Sequence, residues 1–147
     1  VFGSQCKELK VAKIKCTYKV EEWKEEIAEA LSMTSKFASV RAHGPLSGEI
    51  VGQVNMFYLL AYVTEKEGKY SGYTQMSGRY GLREGTFLVE ESGVFDAETV
   101  RSSMTVVPGS GTGGFESVSG RGEYVASHDN AVESLLELEF VERVEQA

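Results

Sequence analysis

Hydrophobic and polar residues alternate with a period of two along most of this chain, the pattern of strands with one buried face. In Val11–Val20, Ala12, Ile14, Cys16, Tyr18 and Val20 fall on one side, and Lys13, Lys15, Thr17 and Lys19 on the other. Comparable runs occupy Met33–His43, Gly48–Val63, Tyr70–Tyr80, Thr86–Phe95, Val100–Val107, Phe115–Val125 and Ser134–Val144. Turn-forming stretches separate them: Gly44-Pro45, Glu67-Gly68, Gly81 to Gly85, Asp96 to Glu98 and Pro108 to Gly114. One segment departs from the pattern. Trp23, Ile27 and Leu31 recur at every fourth position, which predicts a short amphipathic helix or helical loop near 21–31, capping one end of the fold.

The expected fold is therefore all-β: an eight-stranded antiparallel closed barrel with that one helical piece. It forms a single domain over 1–147, with 1–8 as a loose N-terminal tail. Charge supports ring closure. Residues 1–20 carry five Lys and one Glu, whereas residues 131–147 carry five Glu and one Arg. If the first and last strands pair, Lys faces Glu across the seam, each pair contributing roughly 0.2–1 kcal/mol, and both sheet edges disappear. The alternative is a two-sheet sandwich with those charges merely solvated. An eight-stranded barrel is wide enough to be filled by side chains or to hold one small ligand.

Composition narrows the function classes. The net charge of −7, from 15 Lys and Arg against 22 Asp and Glu, argues against nucleic acid as a partner. The longest apolar run, Met56–Val63, is far short of the ~18 residues a helical membrane span needs, so no membrane insertion is expected. Cys6 and Cys16 form neither a disulfide framework nor a metal site; a bridge between them is the alternative to two reduced thiols. The chain begins at Val1, so a cleaved signal stays open beside the default expectation of a cytoplasmic protein.

Few motifs carry chemistry. Gly109-Ser110-Gly111-Thr112-Gly113-Gly114 matches the spacing of a dinucleotide-binding loop, but a strand-like run follows it instead of a helix, so it reads as a connecting loop. His43 and His128 read as surface turn residues. No cofactor or metal is expected. Glu91 is the most informative position. Phe87, Val89, Glu91, Gly93 and Phe95 form the bulkier apolar face of their strand, which turns Glu91 inward. A carboxyl in an apolar barrel has its pKa raised by desolvation, which suits a general acid or base. The alternatives are a pairing with Arg79 or Arg101, or the opposite face. The strand 48–63 is apolar on both sides. Either Phe57, Leu59 and Ala61 point inward together with Gln53 and Asn55, or Met56, Tyr58, Leu60 and Tyr62 do. A strand apolar on both sides suggests a partner subunit outside, so a homo-oligomer, dimer or trimer, is expected.

Thr105–Gly113, reading TVVPGSGTG, closely resembles a stretch typical of the family known as domain of unknown function 3224. These are small barrels similar in fold to plant allene oxide cyclase. Gly85-Thr86-Phe87, Ser92–Phe95, Ser47–Ile50, Leu60-Ala61-Tyr62 and Trp23 extend the resemblance to about four fifths of the chain. Relatives tend to have acidic residues where this chain has Val51, Gln53 and Phe57, and many have a histidine at the position of Glu91. The resemblance implies a pocket that folds a reactive hydrophobic molecule for ring closure. On that reading the protein is a cofactor-independent cyclase or isomerase acting on a polyene- or polyketide-like intermediate. Glu91 is then the acid or base, Gln53 and Asn55 orient a carbonyl, and Phe57, Tyr73, Phe87 and Met104 form the pocket wall. The alternative is a non-catalytic barrel that binds or carries an apolar ligand, with a solid interaction module as a third reading.

Overall fold

The computed structural model describes residues 5–128 and 131–145, with side chains for 9–128 and 131–141. Nine strands follow one another in a single sheet: β1 (Gln5–Tyr18), β2 (Glu22–Ala30), β3 (Lys36–Gly48), β4 (Val51–Tyr62), β5 (Gly68–Tyr80), β6 (Arg83–Phe95), β7 (Thr99–Val106), β8 (Ser119–Ser127) and β9 (Val132–Glu145). Neighbours in sequence pair antiparallel from β2 through β9. β9 then returns to β1, and the end of β1 meets the end of β3. The ring is thus a closed eight-stranded barrel, with β2 as an additional strand outside it.

The seam forms as the charges predicted. Lys13 lies directly opposite Glu137, and Lys15 Nζ reaches Glu133 at 3.1 Å. β1 begins at Gln5, well before Val11, so part of the expected tail belongs to the barrel wall; residues 1–4 lie outside the described residues. The Cys6 side chain also lies outside them, whereas Cys16 is a free, fully buried thiol.

The segment expected to be helical is strand β2. A spacing of four residues is a multiple of the strand period as well as close to the helical one, so Trp23 and Ile27 share a face in either conformation. β2 continues the line of β1 along β3: the Glu21 amide donates to the His43 carbonyl at 2.9 Å, and the ladder then runs from Glu22↔His43 to Ala30↔Lys36. All nine β2 residues are exposed. The strand extends past the barrel as a lip whose ladder, among the described residues, runs to β3 alone.

Inside the barrel the two ends differ. The end carrying the β7–β8 connection is plugged. Gly113–Phe115 forms a single 3-10 turn, where an unbroken strand from Phe115 was expected, and Phe115 is fully buried against Phe87 and Phe140 at ring distances of 5.0 and 6.2 Å. Gly113 has φ +57°, a conformation that costs glycine little and lets the chain turn inward there. β7 pairs only with the Val89–Phe95 half of β6, so the glycine-rich loop covers the rest. The Leu88 amide donates to Ser110 Oγ at 3.0 Å and the Thr86 amide to Thr112 Oγ1 at 3.0 Å, while the Thr112 amide donates to the Thr86 carbonyl at 2.8 Å. These side chains supply the partners that a strand would otherwise provide.

Candidate functional site

The barrel alternation puts Val54, Met56, Tyr58 and Leu60 of β4 inward and leaves Val51, Phe57 and Leu59 outside. On β6 it puts Phe87, Val89 and Glu91 inward. Tyr58, Gly72 and Glu91 lie in one cross-strand row, and Tyr70, Gly93 and Ser102 in the next. The inward glycines matter. Gly72 lies between Tyr58 and Glu91, so no side chain separates them. A Cβ on Gly93 would lie 2.9 Å from Tyr70 Cε1 and 2.1 Å from the Arg101 carbonyl oxygen.

Into this space project five hydroxyls, all aimed at the fully buried Glu91 carboxylate. Tyr58 and Thr74 donate to Oε2, each at 2.8 Å. Tyr70 and Ser102 donate to Oε1, each at 2.8 Å, and Tyr124 makes a third, shorter bond to Oε1. The hydroxyls also touch one another, Tyr58 with Thr74 at 2.8 Å and Tyr70 with Tyr124 at 3.1 Å. A carboxylate has about four lone-pair directions, so five donors saturate it. Burial first, then the charge of Glu91, pushes the Tyr58 and Tyr70 hydroxyls up. Burial first, then Tyr18, then Glu91 does the same at Tyr124. These phenols therefore remain protonated donors near neutral pH.

Above the cluster the barrel is open. A cavity of about 510 Å³ occupies this mouth, with Tyr58, Tyr70 and Tyr124 among its lining residues. Its walls include Tyr18, Trp23, Tyr62, Phe95, Leu60 and Ala126, and Lys19 and His128 stand among its polar neighbours. The mouth is wide because β8 leaves β9 after Glu123↔Leu135 while staying with β7 out to Ser127. At the lip, the Tyr62 hydroxyl donates to both oxygens of Glu25 at 3.1 and 3.0 Å. Burial, followed by that carboxylate, pushes the Tyr62 hydroxyl up to about 12. His128 Nε2 lies 2.7 Å from the Asp96 carbonyl oxygen. His43 lies on β3, not in a turn, and pairs with Glu22 at 2.7 Å.

The residues singled out from sequence divide accordingly. Glu91, Phe87 and Met104 are interior, and Glu91 meets neither Arg79, which pairs with Glu84 at 3.3 Å, nor the outward Arg101. Gln53, Asn55 and Phe57 are not in the lumen: their side of β4 is the outer face, where Arg41 lies 4.9 Å over the Phe57 ring. Tyr73 is likewise outside, 48% exposed, because its neighbours Thr74 and Gly72 take the inward places. Tyr58, Tyr70, Thr74, Ser102, Tyr124 and Trp23 are the site residues not anticipated. Tyr58 had a signal in the alternative facing of its strand, which also turned Tyr62 of the mouth inward, and Trp23 had one in the segment expected to cap one end; the others needed the cross-strand register. Among the described residues no cluster of three His, Cys, Asp or Glu has metal-binding geometry, and no helix is long and apolar enough to cross a membrane.

The model of a family described as a protein of unknown function, DUF3224, matches residues 14–140. Among solved structures, the chain is similar to a DUF3224-family protein of unknown function from Shewanella oneidensis MR-1. The TM-score is 0.63 at 19% identity, over 92% of this chain and 98% of that one; at that identity the likeness speaks for the fold. No curated protein matches.

Proposed function

The chain belongs to the DUF3224 family, whose description assigns no activity, and from the barrel itself we propose a receptacle for a small, largely apolar molecule. The molecule sits in the mouth, its apolar body on the aromatic walls and its polar end on the tyrosine floor. One observation carries this reading: Tyr58, Tyr70 and Tyr124 line the cavity and also hold Glu91. An apolar cleft with a few convergent polar groups is the usual form of a small-molecule site, and the volume of about 510 Å³ falls within the ~300–1,000 Å³ such sites span.

A second reading, the cofactor-independent cyclase or isomerase, draws on the same three tyrosines. A hydroxyl between ligand and carboxylate relays a proton, taking one from the ligand as its own passes to Glu91. Gln53 and Asn55 have no part in this version. The likeness to allene oxide cyclase remains a resemblance, and fold analogy is a weak warrant for chemistry.

Titration with the neutral apolar fluorophore N-phenyl-1-naphthylamine tests the receptacle, with Trp23, the single tryptophan, as a reporter in the wall. Saturable binding near one per chain, removed by Ala126→Phe, is expected; binding that Ala126→Phe leaves intact sinks the proposal. Deuterium uptake from heavy water into the carbon skeleton of a bound ligand, lost in Glu91→Gln, would favour the catalytic reading over simple binding.

A further inference from the structure

Resting on the receptacle reading, we propose that the mouth selects an organic cation: a protonated amine carried on an apolar body, its head over the tyrosine floor and above Glu91. The first observation is how the floor's protons are spent. Glu91 is fully buried, and its described partners are hydroxyls, with no ammonium or guanidinium group among them. Tyr58, Tyr70 and Tyr124 line the cavity and spend their single hydroxyl protons on the carboxylate, so the floor keeps no phenol proton to give a ligand. A fully buried carboxylate lies beneath tyrosines that have no proton left to donate, so the floor suits a ligand that brings its own positive charge.

The second observation is independent of the first. The walls of the same cavity are aromatic, with Tyr18, Trp23, Tyr62 and Phe95 beside the floor tyrosines. Their ring faces carry negative quadrupole potential and attract a cation, more strongly where water is excluded. Carboxylate and rings thus favour the same sign of ligand charge. The competing charges are at the rim. Lys19 is exposed there and screened by solvent, His128 is turned to the Asp96 carbonyl, and Glu25, capped by Tyr62, adds a further negative group. An anionic ligand would find the floor's phenol protons already given to Glu91, and a neutral one would forgo the electrostatic gain.

The test compares three ligands of one shape, 4-phenylbutylamine, 4-phenylbutanol and 4-phenylbutyrate, in displacing N-phenyl-1-naphthylamine at neutral pH and physiological salt. The amine should bind at least about tenfold more tightly than the alcohol, with the carboxylate weakest. Glu91→Gln should erase the difference between amine and alcohol, whereas Glu25→Gln should leave most of it. The comparison in the unaltered protein stands even if Glu91→Gln does not fold. Equal affinity for amine and alcohol, or tightest binding of the carboxylate, overturns the cation assignment and leaves the receptacle intact. Failure of all three to displace a fluorophore that Ala126→Phe does remove overturns this inference alone. A fluorophore that does not bind, or that Ala126→Phe leaves bound, overturns the receptacle and this inference with it.

Discussion

Thr74→Val and Ser102→Ala remove one hydroxyl each from the same buried carboxylate, yet the geometry predicts unequal costs. Oε2 receives two donors, Tyr58 and Thr74, and Oε1 receives three, Tyr70, Ser102 and Tyr124. Each oxygen has about two lone-pair directions, so Oε2 is matched and Oε1 is oversubscribed. Losing Thr74 Oγ1 leaves a direction on Oε2 empty at a fully buried position. A hydrogen bond to a charged group contributes about 1.5–3 kcal/mol, and the added buried methyl returns about 0.8 kcal/mol. The expected net cost of Thr74→Val is therefore about 1–2 kcal/mol. Ser102→Ala leaves two donors on Oε1 and should cost about 0.5 kcal/mol, at the low end for a hydrogen bond. Urea unfolding followed by circular dichroism reads both, provided the slope is unchanged. A larger loss for Ser102→Ala, or no loss in either variant, would refute this description of the cluster.

Three further outcomes follow from the packing. Tyrosines titrate near pH 10 in an unfolded chain, while Tyr18, Tyr58, Tyr70 and Tyr124 are pushed higher in the fold, by burial first. Above about pH 10 the unfolded state has lost protons that the native state keeps. Stability present below that pH is then lost as pH rises, by up to about 1.4 kcal/mol per unit for each group; tyrosinate absorbance should appear together with unfolding, and full ionisation in a folded protein would contradict it. Cys16, its thiol raised to about 11 mainly by burial, should resist alkylation at neutral pH until the protein unfolds, as peptide mass spectrometry would show. Phe115→Ala opens the plugged end and should cost about 3–5 kcal/mol in urea unfolding; a loss under about 1 kcal/mol would mean that the plug is dispensable.

The barrel was legible because its determinants are local. Period-two alternation set most strands, and the lysines of the first strand and glutamates of the last indicated closure. Glu91 was legible for the same reason, since Phe87 and Val89 outweigh the opposite face of β6. Where a pattern admitted two answers, the structure was needed. The fourfold spacing of Trp23 and Ile27 fits strand and helix alike, and β2, with all nine residues exposed, never shows the buried face that would decide. In β4, Phe57 and Leu59 are as apolar as Met56 and Leu60, so facing was settled by register with β3 and β5, which sent Gln53, Asn55 and Phe57 outward. The polar cluster was least legible. Tyr70, Ser102 and Tyr124 come from three strands, and they meet Glu91 through cross-strand rows that include the small residues Gly72 and Gly93. No single segment records that meeting.

Native mass spectrometry of the protein purified from its own host, with solvent extraction of whatever it carries, tests the central claim most directly. The account predicts a small, largely apolar molecule bound one per chain in the unaltered protein and absent from Ala126→Phe. A chain that flies empty in both forms, and stays empty when offered the neutral fluorophore, would contradict it.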